Sequence, residues 1–168
     1  MLYFAYGSNL NKEHMAQRCP NATPVCKIMM PDQRLVFRGV ADCIYEPGAI
    51  CPGAIWKITA ECERALDIYE GVRSGMYRKE YLELDKPIMG ETRIMLYRMN
   101  SRGIMPPFEG YFASICEGYA DFALPTALLD KALHASWDNK HPSHKERKRH
   151  RRNGRPALAR KNAKETNE

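Results

Sequence analysis

A chain of 168 residues, 44% of them apolar, is long enough to bury one core and too apolar to be disordered throughout. Its net charge of +6 is a misleading average: residues 140–168 hold eleven Lys/Arg against three Asp/Glu, while residues 1–139 hold fifteen against seventeen. The excess positive charge sits in the tail, so nothing about the body's function follows from the overall pI.

Residues 2–6, Leu-Tyr-Phe-Ala-Tyr, read as a buried strand broken by Gly7-Ser8-Asn9. Asn11 then caps a short helix ending near Arg18, before Pro20. Strands are predicted over 23–30 and 33–38, separated by Pro31-Asp32, and the stretch 41–50, with Pro47 and Gly48, reads as loop-rich. Residues 53–58 form a further strand, and Thr59 caps a helix from Ala60 to Tyr69 that Gly71 ends. Two β runs, 76–84 and 92–99, flank a Met89-Gly90 turn, and helices follow over 108–118 and 125–137. The chain divides at 138: residues 1–138 form one domain, and 139–168 a basic tail, predicted disordered because Leu158 is its one large apolar residue.

The six cysteines form no C-x-x-C pair and no zinc-like spacing with histidine. The N-terminus lacks a basic n-region, and its apolar run breaks at Gly7. Reduced thiols in a cytoplasmic protein are therefore expected, with no membrane span.

Two stretches carry chemistry. A tight turn feeding a helix presents unpaired backbone N–H groups to an anion, with Gly7 permitting close approach and Ser8 and Asn9 adding donors. The second is "LDIYEGVRSGMY", residues 66–77. Glu70 there opposes the negative end of a predicted helix among Tyr69, Val72 and Tyr77, which predicts a raised pKa suited to proton transfer near neutrality. The alternative is a solvated surface glutamate that Arg73 neutralises. His14, mid-helix, reads as a surface residue rather than a base.

These stretches together resemble the γ-glutamylcyclotransferase-like family, which includes the AIG2-like proteins. The resemblance runs through Tyr3-Phe4-Ala5-Tyr6-Gly7-Ser8-Asn9-Leu10, Arg18-x-Pro20-x-Ala22, Gly53-x-x-Trp56 and Glu70-Gly71-Val72-x-Ser74-Gly75-Met76-Tyr77. It continues with Tyr97, Pro107 with Tyr111, Ile115 with Gly118, and Leu124-Pro125, in family order over residues 1–135. It implies an α+β fold with a small mixed, barrel-like sheet and flanking helices. It also implies a reaction that needs no metal or cofactor: the α-amine of a small γ-glutamyl substrate attacks its own γ-carbonyl, giving 5-oxoproline and a free amine.

Carried over, the resemblance implies Glu70 as general base and acid, and a substrate site from Tyr6, Gly7, Ser8, Asn9, Leu10, Gly75, Tyr77, Tyr97 and Tyr111. The three last-named tyrosines read equally well as plain core residues. Leu128 departs from a tyrosine common in the family, and residues 40–52 are unusual, which leaves the identity of the amine open. The other class of function compatible with the sequence is a non-catalytic ligand-binding module whose basic tail docks nucleic acid or another polyanion.

Overall fold

The computed structural model describes residues 1–138. The basic tail and its polyanion reading lie outside the described residues. Element order is β1 (Leu2–Ala5), a single 3-10 turn (Ser8–Leu10), α1 (Lys12–Arg18), β2 (Thr23–Phe37), β3 (Ala41–Lys57), α2 (Ala60–Tyr69), β4 (Tyr77–Ile88), β5 (Glu91–Met99), α3 (Glu109–Asp121) and α4 (Ala127–Asp138). None of these helices is long and apolar enough to cross a membrane.

The strands form one mixed sheet in the order β2-β3-β1-β5-β4. The central strand β1 is antiparallel to β3 and parallel to β5, and two long antiparallel hairpins, β2/β3 and β4/β5, flank it. β1 is only four residues long and fully buried. Past its end the two hairpins meet directly. Arg98 on β5 donates to the Gln33 side chain at 3.0 Å and to the Cys43 carbonyl, and the Met99 amide donates to Asp42 Oδ1 at 2.9 Å. This closure curls the sheet into a partial barrel around Phe4, Phe37, Ile55, Ile94 and Leu96, all 0% exposed.

Two sequence boundaries differ from expectation. β2 runs through Pro31-Asp32, and β3 runs through the stretch expected to be loop. The irregularities face one another: the register shifts between Pro31 and Gln33, Asp32 adopts φ 55°, and Gly48 on the partner strand adopts φ 76°. Asp32 Oδ1 accepts from the Gly48 amide at 2.7 Å, so the bulge is stitched and the ladder resumes beyond it. The β4/β5 turn follows the sequence. Met89 and Gly90 both have positive φ, as a two-residue hairpin turn of the type that matches strand twist requires.

Capping sets the helix starts. The Asn11 side chain accepts from the His14 amide, and Thr59 from the Cys62 amide. α3 packs on the 3-10 turn at Gly118, where an added Cβ would lie 2.5 Å from Leu10 Cβ and 2.6 Å from the Asn11 nitrogen.

Candidate active site

At the C-terminal end of β1 the chain leaves the sheet through Tyr6 and Gly7 and closes one 3-10 turn. The Leu10 amide bonds Gly7 O at 3.0 Å and the Asn11 amide bonds Ser8 O at 3.1 Å. The Ser8 and Asn9 amides precede the first of these bonds and lie outside the turn's own ladder. Gly7 is tightly packed, since a Cβ there would meet Ala41 Cβ at 3.1 Å and the Tyr111 hydroxyl at 3.2 Å.

Glu70 arrives at this turn from α2. It is the C-cap of that helix. Gly71, at φ 63°, lets the chain reverse, with the Gly71 amide bonded to Ile68 O at 3.1 Å and the Val72 amide to Asp67 O at 3.0 Å. These two bonds satisfy the last carbonyls of the helix and fix the direction in which Glu70 leaves it. Glu70 and the turn face a cavity of about 230 Å³, whose other walls include Tyr3, Val40, Tyr69, Met76 and Phe108.

Asn9 is the hub of the polar contacts. Its Nδ2 donates to Glu70 Oε1 at 2.8 Å and to the Tyr3 hydroxyl at 2.9 Å, and its Oδ1 accepts from Arg18 Nη1 at 2.8 Å. The Arg18 guanidinium lies 3.6 Å from the centroid of the Tyr69 ring, and the Tyr69 hydroxyl lies 3.1 Å from Ser8 Oγ.

The Glu70 carboxyl is pushed up to about 7, chiefly by burial, with the Asn9 hydrogen bond and the Arg18 charge pulling the other way. Burial, rather than the helix end, is thus the main cause. The cation facing Glu70 is Arg18; Arg73, the alternative neutralising partner, is exposed on the turn. His14 is turned toward α3, its Nδ1 3.0 Å from Ser114 Oγ.

Of the residues singled out from the sequence, Tyr6, Gly7, Ser8, Asn9, Glu70, Tyr77, Tyr97 and Tyr111 line this one cavity. Leu10 and Gly75 are not among its walls. Leu10 is fully buried against α3, where Gly118 admits it. Gly75, at φ 74°, shapes the turn before β4, and its carbonyl accepts from Asn100 Nδ2 at 2.8 Å. These two positions build the scaffold behind the cavity. Tyr3 and Phe108 were missed, although Tyr3 stands inside the quoted first motif.

The tyrosine hydroxyls are engaged with the protein. Tyr6 donates to Tyr97 O at 2.5 Å, and Tyr97 to Asp67 Oδ1 at 2.7 Å, with Lys79 3.0 Å from Asp67 Oδ2. Tyr77 donates to Ala41 O at 2.5 Å, and the Ala41 amide donates to the Tyr111 hydroxyl at 3.0 Å. Burial pushes all four hydroxyls above their ordinary range, Tyr111 to about 12, so they stay neutral around the carboxyl.

The AIG2-like family model matches residues 52–131, which include Glu70 and Tyr111. The gamma-glutamylcyclotransferase of Homo sapiens is 32% identical over 142 residues, covering 77% of this chain and 76% of that protein. The Mus musculus protein of the same name is 30% identical over 142 residues with the same coverage. A solved structure of a gamma-glutamyl cyclotransferase is 30% identical and superposes with a TM-score of 0.68, covering 79% of this chain and 85% of that one. Likeness of this extent, in sequence and in fold, makes the chain a member of the gamma-glutamylcyclotransferase family.

Proposed function

We propose that the chain is a γ-glutamylcyclotransferase that acts at the cavity between the Gly7–Leu10 turn and Glu70. The observation that carries this reading is a single carboxyl, with a pKa near 7, held beside a turn whose amides can receive an anion. At neutral pH such a carboxyl is present in both forms, which general base and general acid catalysis by one group requires.

In this reading the glutamyl α-carboxylate rests on the amides at Gly7, Ser8 and Asn9, with the Ser8 hydroxyl beside them. Ionised Glu70 takes a proton from the α-amine as its nitrogen attacks the γ-carbonyl carbon. The new C–N bond closes a five-membered ring, and charge develops on the carbonyl oxygen, where the turn amides offset it. The protonated Glu70 then returns the proton to the departing nitrogen. The original amide C–N bond breaks, 5-oxoproline and the amine leave, and Glu70 is ionised again. Both nitrogens bond the same carbon in the intermediate, so one carboxyl serves both transfers without moving far.

Tyr77 and Tyr97 act here as fixed walls, because their hydroxyl protons are committed to Ala41 O and Asp67 Oδ1, whereas the Tyr111 hydroxyl accepts from the Ala41 amide and keeps its own proton for a ligand. In this reading the departing amine points to the cavity mouth at Met76 and Phe108, which are 44% and 65% exposed. A cytoplasmic setting fits six free thiols, four of them buried.

The test is release of 5-oxoproline, followed by mass spectrometry, from γ-glutamyl amino acids, γ-glutamyl amines and glutathione. Wild type releases it and Glu70→Gln does not. Unchanged release by the mutant would remove Glu70 from the reaction.

A further inference from the structure

We propose that Arg18 is a positioning residue for this reaction: it locks the Asn9 amide with its NH2 group toward Glu70, and it braces Tyr69 against the substrate turn. The assignment rests on Glu70 being the proton carrier.

An asparagine amide has two orientations of nearly equal size and shape, and only its partners choose between them. Tyr3 does not choose, because a hydroxyl both donates and accepts. Arg18 does, because a guanidinium only donates. With Arg18 Nη1 2.8 Å from Asn9 Oδ1, the NH2 group is left for Glu70 at 2.8 Å. The flipped amide would set donor against donor at Arg18 and acceptor against ionised acceptor at Glu70.

Without Arg18 the balance changes. A protonated Glu70 is a donor, and a flipped Asn9 would then accept from it. The acid form would gain a partner that the wild-type site denies it. Arg18 therefore keeps Glu70 free to give its proton to the departing nitrogen rather than to Asn9.

The second contact works on the same site from the other side. Arg18 stacks on Tyr69, the residue before Glu70, and the Tyr69 hydroxyl reaches Ser8 Oγ. One side chain at the end of α1 thus ties the exit of α2 to the turn after β1. The titratable groups around Glu70 are Tyr3 and Tyr6 from the β1 segment, Tyr77 from β4, Tyr97 from β5 and Tyr111 from α3, all pushed upward, together with Tyr69 from α2 and Arg18 from α1. Among these, Arg18 is the one that carries charge at neutral pH.

The experiment compares wild type, R18M, R18K and E70Q. It records pH profiles of 5-oxoproline release from the fastest substrate of the γ-glutamyl panel, and carbon-13 NMR titration of the Glu70 carboxyl without substrate. R18M is expected to lower kcat about tenfold with a smaller change in KM. It is expected to raise both the acid limb and the Glu70 midpoint by about half a unit or more. R18K returns the charge and restores the limb, but recovers kcat only in part, because an ammonium cannot stack flat on Tyr69.

An R18M enzyme with the wild-type limb and the wild-type Glu70 midpoint would overturn the proposal even if its kcat fell. Should R18M not fold, R18K decides: a lowered kcat at an unshifted midpoint supports the lock and brace, and wild-type kcat overturns them. Full activity in E70Q would overturn the role of Glu70 and this assignment with it. That outcome is distinct from failure of Arg18 alone, in which E70Q is inactive and R18M keeps the wild-type limb.

Discussion

Asn9 Nδ2 lies 2.8 Å from Glu70 Oε1, although the two residues stand 61 positions apart in the chain. This contact joins the turn after β1 to the exit of α2, and it lowers a carboxyl that burial raises. Asn9→Asp replaces that donor by a second acid, which Arg18 holds ionised. Two carboxylates at this separation cannot both carry charge, so Glu70 retains its proton. The acid limb of the pH–rate profile is expected to rise by about one unit or more, with kcat/KM at pH 7 down about tenfold.

Glu70 also costs stability. Its folded pKa of about 7 exceeds the ordinary glutamate value of 4.5. Between those values the folded chain keeps a proton that the unfolded chain releases, so stability falls as pH rises through that window. Glu70→Gln removes the effect while keeping an acceptor for Asn9. The mutant is expected to exceed wild type by about 1–3 kcal/mol at pH 8 and to match it near pH 4.5, measured by urea unfolding at both values.

Gly118 sets two effects in opposition. Ala in the interior of α3 gains about 1 kcal/mol of helix propensity. The added Cβ would stand 2.5 Å from Leu10 Cβ and 2.6 Å from the Asn11 nitrogen, and neither is the end of a flexible side chain. Overpacking of that kind costs about 1–3 kcal/mol, so contact wins over propensity. Gly118→Ala is expected to lower Tm, and to lower kcat/KM about tenfold by pushing the turn toward the cavity. Wild-type kinetics in a destabilised mutant would show that the turn does not move with α3.

The Ala41 peptide is held from both sides, its N–H by Tyr111 and its C=O by Tyr77. Tyr111→Phe removes the acceptor of the Ala41 amide, whereas Tyr77→Phe leaves that bond in place. Hydrogen exchange at Ala41 is expected to quicken about tenfold or more in the first mutant and by less in the second. Equal exchange in both would mean that the ladder, not the hydroxyl, protects this amide.

Local chemistry made much of this legible. Asn11 and Thr59 announced their helices as caps, Gly71 its reversal, and Met89-Gly90 its hairpin, because each acts within a few residues. The expected break at 41–50 failed for a non-local reason. Pro47 and Gly48 are turn formers alone, but opposite Asp32 on β2 they become one side of a bulge. The site divides the same way. Glu70 and the turn stood out with a chemical role, while Arg18 was legible only as a motif position, since its contacts depend on an amide and a ring supplied by other segments. Leu10 belongs to the motif for the opposite reason: the strand-turn signature includes the residue that anchors it to α3.

The pairing of the cavity's tyrosines with the backbone bears on how this chain can acquire new preferences. The hydroxyls of Tyr6, Tyr77, Tyr97 and Tyr111 are each tied to a strand or a helix, so a substitution at these positions disturbs the barrel as well as the cavity. At the mouth, the apolar side chains of Met76 and Phe108 are 44% and 65% exposed and make no hydrogen bond among the described residues. Divergence is therefore channelled to one end of the cavity. In the proposed reading, the identity of the departing amine drifts through these two positions while the cyclising half stays constant.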